Sequence, residues 1–257
     1  IQKMSTNPPS SPAPLAETIE RVVPAEPTPA EVVVAEPAVP DLDQWLQQRR
    51  NVTGTTRAFE TLFSLWNKRL DDTDVAACQQ ARALRLRCVA DRSSIAELLI
   101  LDRPAIMTLR DRSGEAHQVV LSASSDDTLT LSTGDDEITI PTGELSRFWF
   151  GEYLMLWQPP NNEVTSLRKG ARGVAVLWLR QSLTAIMGQT AEPLDSDQFD
   201  DALETMVRDY QRSRLLTVDG LAGQRTQMMI IRDLGLKDVP SISRNDAAAV
   251  TATTGVN

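Results

Sequence analysis

Two cysteines, a single histidine and a run of arginines and amides near the C-terminus are the side chains here whose types support chemistry. Cys78 and Cys88 bracket CQQARALRLRC, and His117 opens HQVVLSA. A thiol nucleophile needs a general base and an orienting group within hydrogen-bond reach. Two cysteines and one histidine are too few for a usual zinc site, so no metal or cofactor is expected. The second cluster lies in DYQRSRLLTVDGLAGQRT. Tyr210 and Gln211 close one apolar-periodic stretch, Asp219–Gly220 makes a tight turn, and Gly223 to Thr226 opens another helix. Free N–H groups at a helix start can receive polar ligand atoms. Arg212, Arg214 and Arg225 supply cationic donors suited to a carboxylate.

The elements that must position these groups follow from periodicity. More than half of the fifteen prolines fall in residues 1–40, which predicts a semi-rigid, solvated linker. Residues 41–160 read as one mixed unit. A helix is expected over Arg57–Leu70, with Phe59, Leu62, Phe63, Trp66 and Leu70 on one stripe. A second is expected over Asp74–Leu84 with Asp74 as N-cap, and a short one from Ser94 through Leu99. From Pro104 the period becomes two. PAIMTLR, HQVVLSA, TLTLS, EITIP and EYLMLWQ read as five strands separated by turns. Helices followed by a strand meander predict an α+β class.

Over residues 161–240 the period returns to 3.6. Val176, Leu179, Leu183 and Ile186 share a face ending at Gly188, a C′ glycine. Ser196 is expected to start the next helix, carrying Phe199, Leu203, Val207 and Tyr210. A third holds Thr226, Met229, Ile230 and Leu234 before Gly235. Three short helices make a small bundle, and the polar tail 241–257 is expected to be disordered.

Net charge is −9, and no segment shows the clustered basic excess that nucleic acid or anionic lipid requires. No run approaches the ~18–20 apolar residues of a membrane span. There is no GxxxxGK[ST] phosphate loop. The chain opens on Ile1 without a signal-peptide pattern, so it is expected to be a fragment or processed product.

The stretch SLRKGARGVAVLWLRQSL, then QFDDALETMVRDYQRSRLLTVDGLAGQRT, resembles the peptidoglycan-binding module of bacterial wall enzymes. Leu167, Gly170, Gly173, Val176, Leu179, Leu183, Phe199, Asp200, Leu203, Val207, Tyr210, Gln211, Asp219, Gly220, Gly223 and Thr226 carry the match. The resemblance implies wall binding through Tyr210, Gln211, Arg214, Asp219, Gly220, Gly223, Arg225 and Thr226. Core packing is the competing reading for Phe199, Leu203 and Val207, and turn stabilisation the competing reading for Gln211, Asp219 and Arg225. LDRPAIMTLRDRSGEAHQVVLSA with FWFGEYLMLWQPP resembles a C39-like, papain-like cysteine-peptidase fold. His117 then stands at the general-base position. The nucleophile of active relatives would fall in NVTGTTRAFETLF, which has no cysteine, and LSTGDDEITI offers only turn carboxylates as orienter.

Spacer, C39-like domain and wall-binding module together resemble the periplasmic part of the general secretion pathway protein A family. In that family an ATPase domain and a transmembrane helix precede this region. The resemblance implies a periplasmic, inner-membrane-tethered anchor. With an inner-membrane partner of general secretion pathway protein B type, it helps insert the type II secretin through peptidoglycan. A second copy of the chain is a further candidate partner. In an oxidising envelope, the Cys78–Cys88 spacing predicts a structural disulfide over a free or catalytic thiol. His117 is expected to be a relict or a satisfied strand histidine, and the alternative is a wall-targeted cysteine peptidase using it.

Overall fold

The computed structural model describes residues 40–160, 166–189 and 192–243. The expected linker before Pro40 and the tail beyond Ser243 lie outside these residues.

The chain enters through α1 (Leu42–Gln48), whose N-cap Asp41 accepts from the backbone N–H of Asp43 and Gln44. α2 (Thr55–Leu65) buries Ala58, Phe59, Leu62 and Phe63 on the expected stripe. Each fully buried Leu or Phe contributes about 1.5–3 kcal/mol relative to exposure. α2 stops short of Leu70 because Asn67 takes a left-handed conformation at φ 53°. Lys68 N–H then donates back to the Phe63 carbonyl at 2.9 Å.

α3 (Ala77–Ala83) begins three residues after the expected cap, Asp74. The cause is Gln80. Its Nε2 donates to the Asp71 and Val75 carbonyls at 3.1 and 2.9 Å, and its Oε1 accepts from Asp71 N–H at 2.9 Å. That side chain gathers 71–75 into a loop and takes Asp74 out of the helix. β1 (Arg87–Arg92) follows, then α4 (Ile95–Leu101), capped by the Ser94 hydroxyl accepting from Glu97 N–H at 3.3 Å.

The alternating region then forms β2 (Ala105–Arg110), β3 (Ala116–Ser124), β4 (Thr128–Ser132) and β5 (Glu137–Pro141). A 3₁₀ turn over Thr142–Arg147 leads into β6 (Trp149–Trp157). The strands make one antiparallel sheet in the order β1-β6-β2-β3-β4-β5. One strand more is present than expected. RCVADR carries too many charges to read as alternating, yet β1 needs only one partner, β6, because it lies at the edge. Cys88 on β1 is joined to Cys78 on α3 by a disulfide, so neither cysteine is a free thiol.

The helical third holds α5 (Val174–Met187), α6 (Asp201–Ser213) and α7 (Gln224–Asp233). Gly188 closes α5 in a left-handed conformation at φ 65°, as its position predicts. α6 starts five residues later than Ser196. Its N-cap is Asp200, whose Oδ1 accepts from Leu203 N–H at 2.9 Å. Residues 196–199 run extended instead, because Arg180 holds them. This guanidinium has 0% exposure and donates to the Ser196 and Gln198 carbonyls and to Asp200 Oδ2 at 3.1, 2.7 and 2.7 Å.

The sheet and the bundle belong to one contact unit. α4 packs on α7, where Arg225 and Glu97 form an ion pair. The segment after Pro240 returns to the sheet. Ile242 is fully buried, its carbonyl accepts from Ser124 N–H at 2.8 Å, and Asp102 accepts from Ser241 Oγ and Ser243 N–H at 2.6 and 3.0 Å. Ser241–Ser243, expected to be disordered, are therefore packed. Among the described residues, no helix is long and apolar enough to cross a membrane.

Candidate functional site

The α6–α7 connection is framed by Gln211. Its side chain sits at 1% exposure, with Nε2 donating to Asp219 Oδ1, the Leu221 carbonyl and Thr226 Oγ1 at 2.8, 2.9 and 3.3 Å. Oε1 accepts from Gly220 N–H at 2.9 Å. Asp219 Oδ1 also accepts from Leu221 N–H at 2.9 Å. Burial opposes ionisation of Asp219, but the Leu221 N–H and the Gln211 amide outweigh it and hold its carboxyl below the usual range. Gly220 adopts φ 77°, and a Cβ there would meet the Arg208 guanidinium at 2.9 Å. Only glycine fits this turn without strain.

Tyr210 turns away from this frame. Its hydroxyl donates to Asp233 Oδ2 at 2.8 Å, at the C-terminal end of α7, and not toward Thr226 at the start. Burial, then Asp233, pushes the phenol upward. Arg214 joins the same carboxylate at 2.6 Å and lies over the Tyr210 ring at 5.6 Å. The structure therefore brings Gln211, Asp219, Gly220 and Thr226 together and sets Tyr210 and Arg214 apart from them. Arg212 pairs with Asp209 at 2.6 Å, and Arg225, at the N-terminus of α7, reaches Glu97 on α4. On the outer face of the turn, Leu215, Val218 and Leu221 are exposed.

His117, the second residue of β3, lies in a second polar cluster. Its Nδ1 lies 2.8 Å from Thr53 Oγ1, just before α2, and its Nε2 lies 3.5 Å from Asp111 Oδ2. The Ser113 hydroxyl, against the cost of burial and aided by Glu115 N–H and His117, holds the Asp111 carboxyl below the usual range. Hydroxyl, imidazole and carboxylate stand in the order of a catalytic triad. Yet Thr53, His117 and Asp111 are 4%, 1% and 5% exposed, so no face of the cluster is open to a substrate carbonyl. The turn carboxylates Asp135 and Asp136 do not reach the histidine; they pair with Arg57 and Arg49. Sequence reasoning missed Thr53 and Asp111. The signal available for Asp111 was its place opposite Glu115 across a short turn.

Residues 42–159 match the family model described as "GspA, peptidase C39-like domain", and residues 172–230 match "Putative peptidoglycan binding domain". The chain is 29% identical over 173 residues to the general secretion pathway protein A of Aeromonas hydrophila, covering 67% of this chain and 31% of that protein. It is 24% identical over 200 residues to the "Putative general secretion pathway protein A" of Escherichia coli strain K12, covering 78% of this chain and 40% of that protein. The chain thus spans less than half the length of these curated relatives. A solved periplasmic domain of the EpsAB fusion protein of the Vibrio vulnificus type II secretion system superposes with a TM-score of 0.50 at 30% identity. That match covers 74% of this chain and 81% of the other.

Proposed function

Because the chain belongs to the general secretion pathway protein A family, with its C39-like and peptidoglycan-binding domains, we propose that it is a non-catalytic periplasmic wall anchor in type II secretion. The bundle holds peptidoglycan, and the C39-like domain serves as the platform for partners. Those partners are an inner-membrane protein of general secretion pathway protein B type and the secretin, whose passage through the wall the anchor assists. In the full-length protein a membrane segment outside this chain supplies the tether.

The observation that carries this reading is the intact frame around Gln211 beside a histidine cluster that has no thiol. In the proposal Gln211 and Thr226 shape the wall-binding surface from within, and Tyr210, bonded to Asp233, holds α6 to α7 behind it. Asp219, Gly220 and Gly223 form its turn, and Arg214 and Arg225 stand at its edges. Both cysteines are joined in the Cys78–Cys88 disulfide, which supports a non-catalytic reading over a peptidase that uses either thiol. Sedimentation of the chain with insoluble purified peptidoglycan tests the anchor. Recovery in the pellet supports it, and recovery in the supernatant with a control protein of similar charge ends it.

A further inference from the structure

The β2–β3 hairpin gathers three groups that wall binding does not use. Asp111 follows β2, and its N–H donates to the Glu115 carbonyl across the turn at 3.0 Å. His117 lies two positions beyond Glu115, one residue inside β3. One ligand atom from each of the three lies within 4.8 Å of the other two.

The buried pair in this cluster is poorly matched as a simple hydrogen bond. The His117 and Asp111 side chains are 1% and 0% exposed, yet Nε2 and Oδ2 stand 3.5 Å apart. An N–H···O bond spans about 2.7–3.2 Å, so this contact is long and weak for a dry carboxylate oxygen. The neighbouring atoms are held elsewhere. Nδ1 meets Thr53 at 2.8 Å, and Asp111 Oδ1 accepts from Ser113 Oγ and Glu115 N–H at 2.7 and 2.9 Å. Nε2 and Oδ2 therefore meet only at 3.5 Å, and the half-exposed Glu115 carboxylate, which pairs with Arg50 at 3.5 Å, lies within 4.8 Å of them.

A tetrahedral zinc ion bonds nitrogen at about 2.0–2.1 Å and carboxylate oxygen at about 2.0–2.2 Å, which sets two such ligands roughly 3.4 Å apart. The observed separation fits that geometry. Two carboxylates also match the charge of a divalent ion, with Glu115 exchanging its ion pair with Arg50 for the metal. We infer that Asp111, Glu115 and His117 form a zinc-class metal site, with the half-exposed Glu115 as its outermost ligand. Thr53 holds the imidazole from Nδ1, as outer partners of metal-bound histidines do. A set of one imidazole and two carboxylates favours zinc-class ions over calcium and magnesium, which seek six or more oxygens. Since Thr53 also accepts Gln118 N–H at its carbonyl, at 2.7 Å, an ion here ties the hairpin to the segment that starts α2.

The test uses the whole chain, stripped with a chelator and kept free of reductant so that the disulfide stays closed. Zinc alone is titrated against a chromophoric chelator for the wild type, Glu115→Gln and the surface control Glu144→Gln. Glu115 is exposed, so its substitution leaves the fold standing. The inference expects one equivalent bound by the wild type and the control, and affinity lower by about tenfold or more in Glu115→Gln. Excess magnesium or calcium leaves the titration unchanged, and zinc raises the melting temperature of the wild type more than that of Glu115→Gln. Absence of saturable binding, or equal affinity in Glu115→Gln, overturns it.

Discussion

Replacing Gln211 with leucine separates an internal staple from a ligand contact. The change keeps much of the volume and removes the bonds to Asp219, Leu221, Thr226 and Gly220 together. Gly220 is buried, so its N–H loses its acceptor without gaining water. The Leu221 carbonyl keeps only a 3.5 Å contact with Thr226 Oγ1. An orphaned buried polar group costs about 1–3 kcal/mol. The Gly220 N–H is one such group, and with the lost Nε2 bonds to Asp219, Leu221 and Thr226, offset in part by the apolar gain of leucine, the net cost is about 3 kcal/mol. For a unit of roughly 200 residues each kcal/mol lowers Tm by about 2–4 °C, so Gln211→Leu melts about 6–12 °C below the wild type. Circular dichroism melts, read beside sedimentation with peptidoglycan, provide the assay. A variant that melts within about 1 °C of the wild type yet leaves the wall refutes the staple and makes the amide a direct contact.

Three further outcomes follow from the same physics. Cys78→Ser with Cys88→Ser opens a short loop and lowers stability by about 3 kcal/mol in urea titrations, while the wild-type mass rises by two hydrogens only on reduction. Deleting residues 239–257 exposes the pockets of Val239 and Ile242 and costs about 3 kcal/mol or more by the same titration, whereas an unpacked tail predicts no change. Asp219 and Asp200 have carboxyls held below their usual range: burial opposes ionisation at each, and backbone N–H groups, with Gln211 and Arg180 respectively, outweigh it. Depressed folded values give stability that is full above the unfolded pKa of about 3.9 and lost as pH falls through the folded values. Urea midpoints are therefore level from neutrality to about pH 5 and fall in more acid solution, and Asp200→Asn shows a shallower fall.

Much of the fold was legible because local rules and packing agree. TLTLS and EITIP alternate as half-buried strands do, forming β4 and β5, and the apolar runs of PAIMTLR, HQVVLSA and EYLMLWQ form the more fully buried β2, β3 and β6. Gly188 ends α5 where its missing Cβ allows a left-handed residue. The Cys78–Cys88 bond was likewise within reach, since its partners sit on adjoining elements. The misses share a cause, which is a side chain acting across the chain. Gln80 draws 71–75 out of α3, and Arg180 delays α6 by holding residues 196–199 from below. Charged β1 is a strand only because β6 lies beside it. Site residues divide the same way. The Gly220 turn was readable from Asp–Gly, but Tyr210 and Gln211, adjacent in sequence, point toward opposite ends of α7. Thr53 reaches His117 over sixty-four positions, a pairing that no spacing rule reveals.

The most direct test of the anchor is an NMR titration of the whole chain with a soluble disaccharide–peptide fragment of peptidoglycan. The account predicts saturable shifts centred on the Asp219–Thr226 turn and its arginine edges, with the sheet of the C39-like domain unmoved. An unchanged spectrum, or shifts confined to residues 42–159, contradicts it.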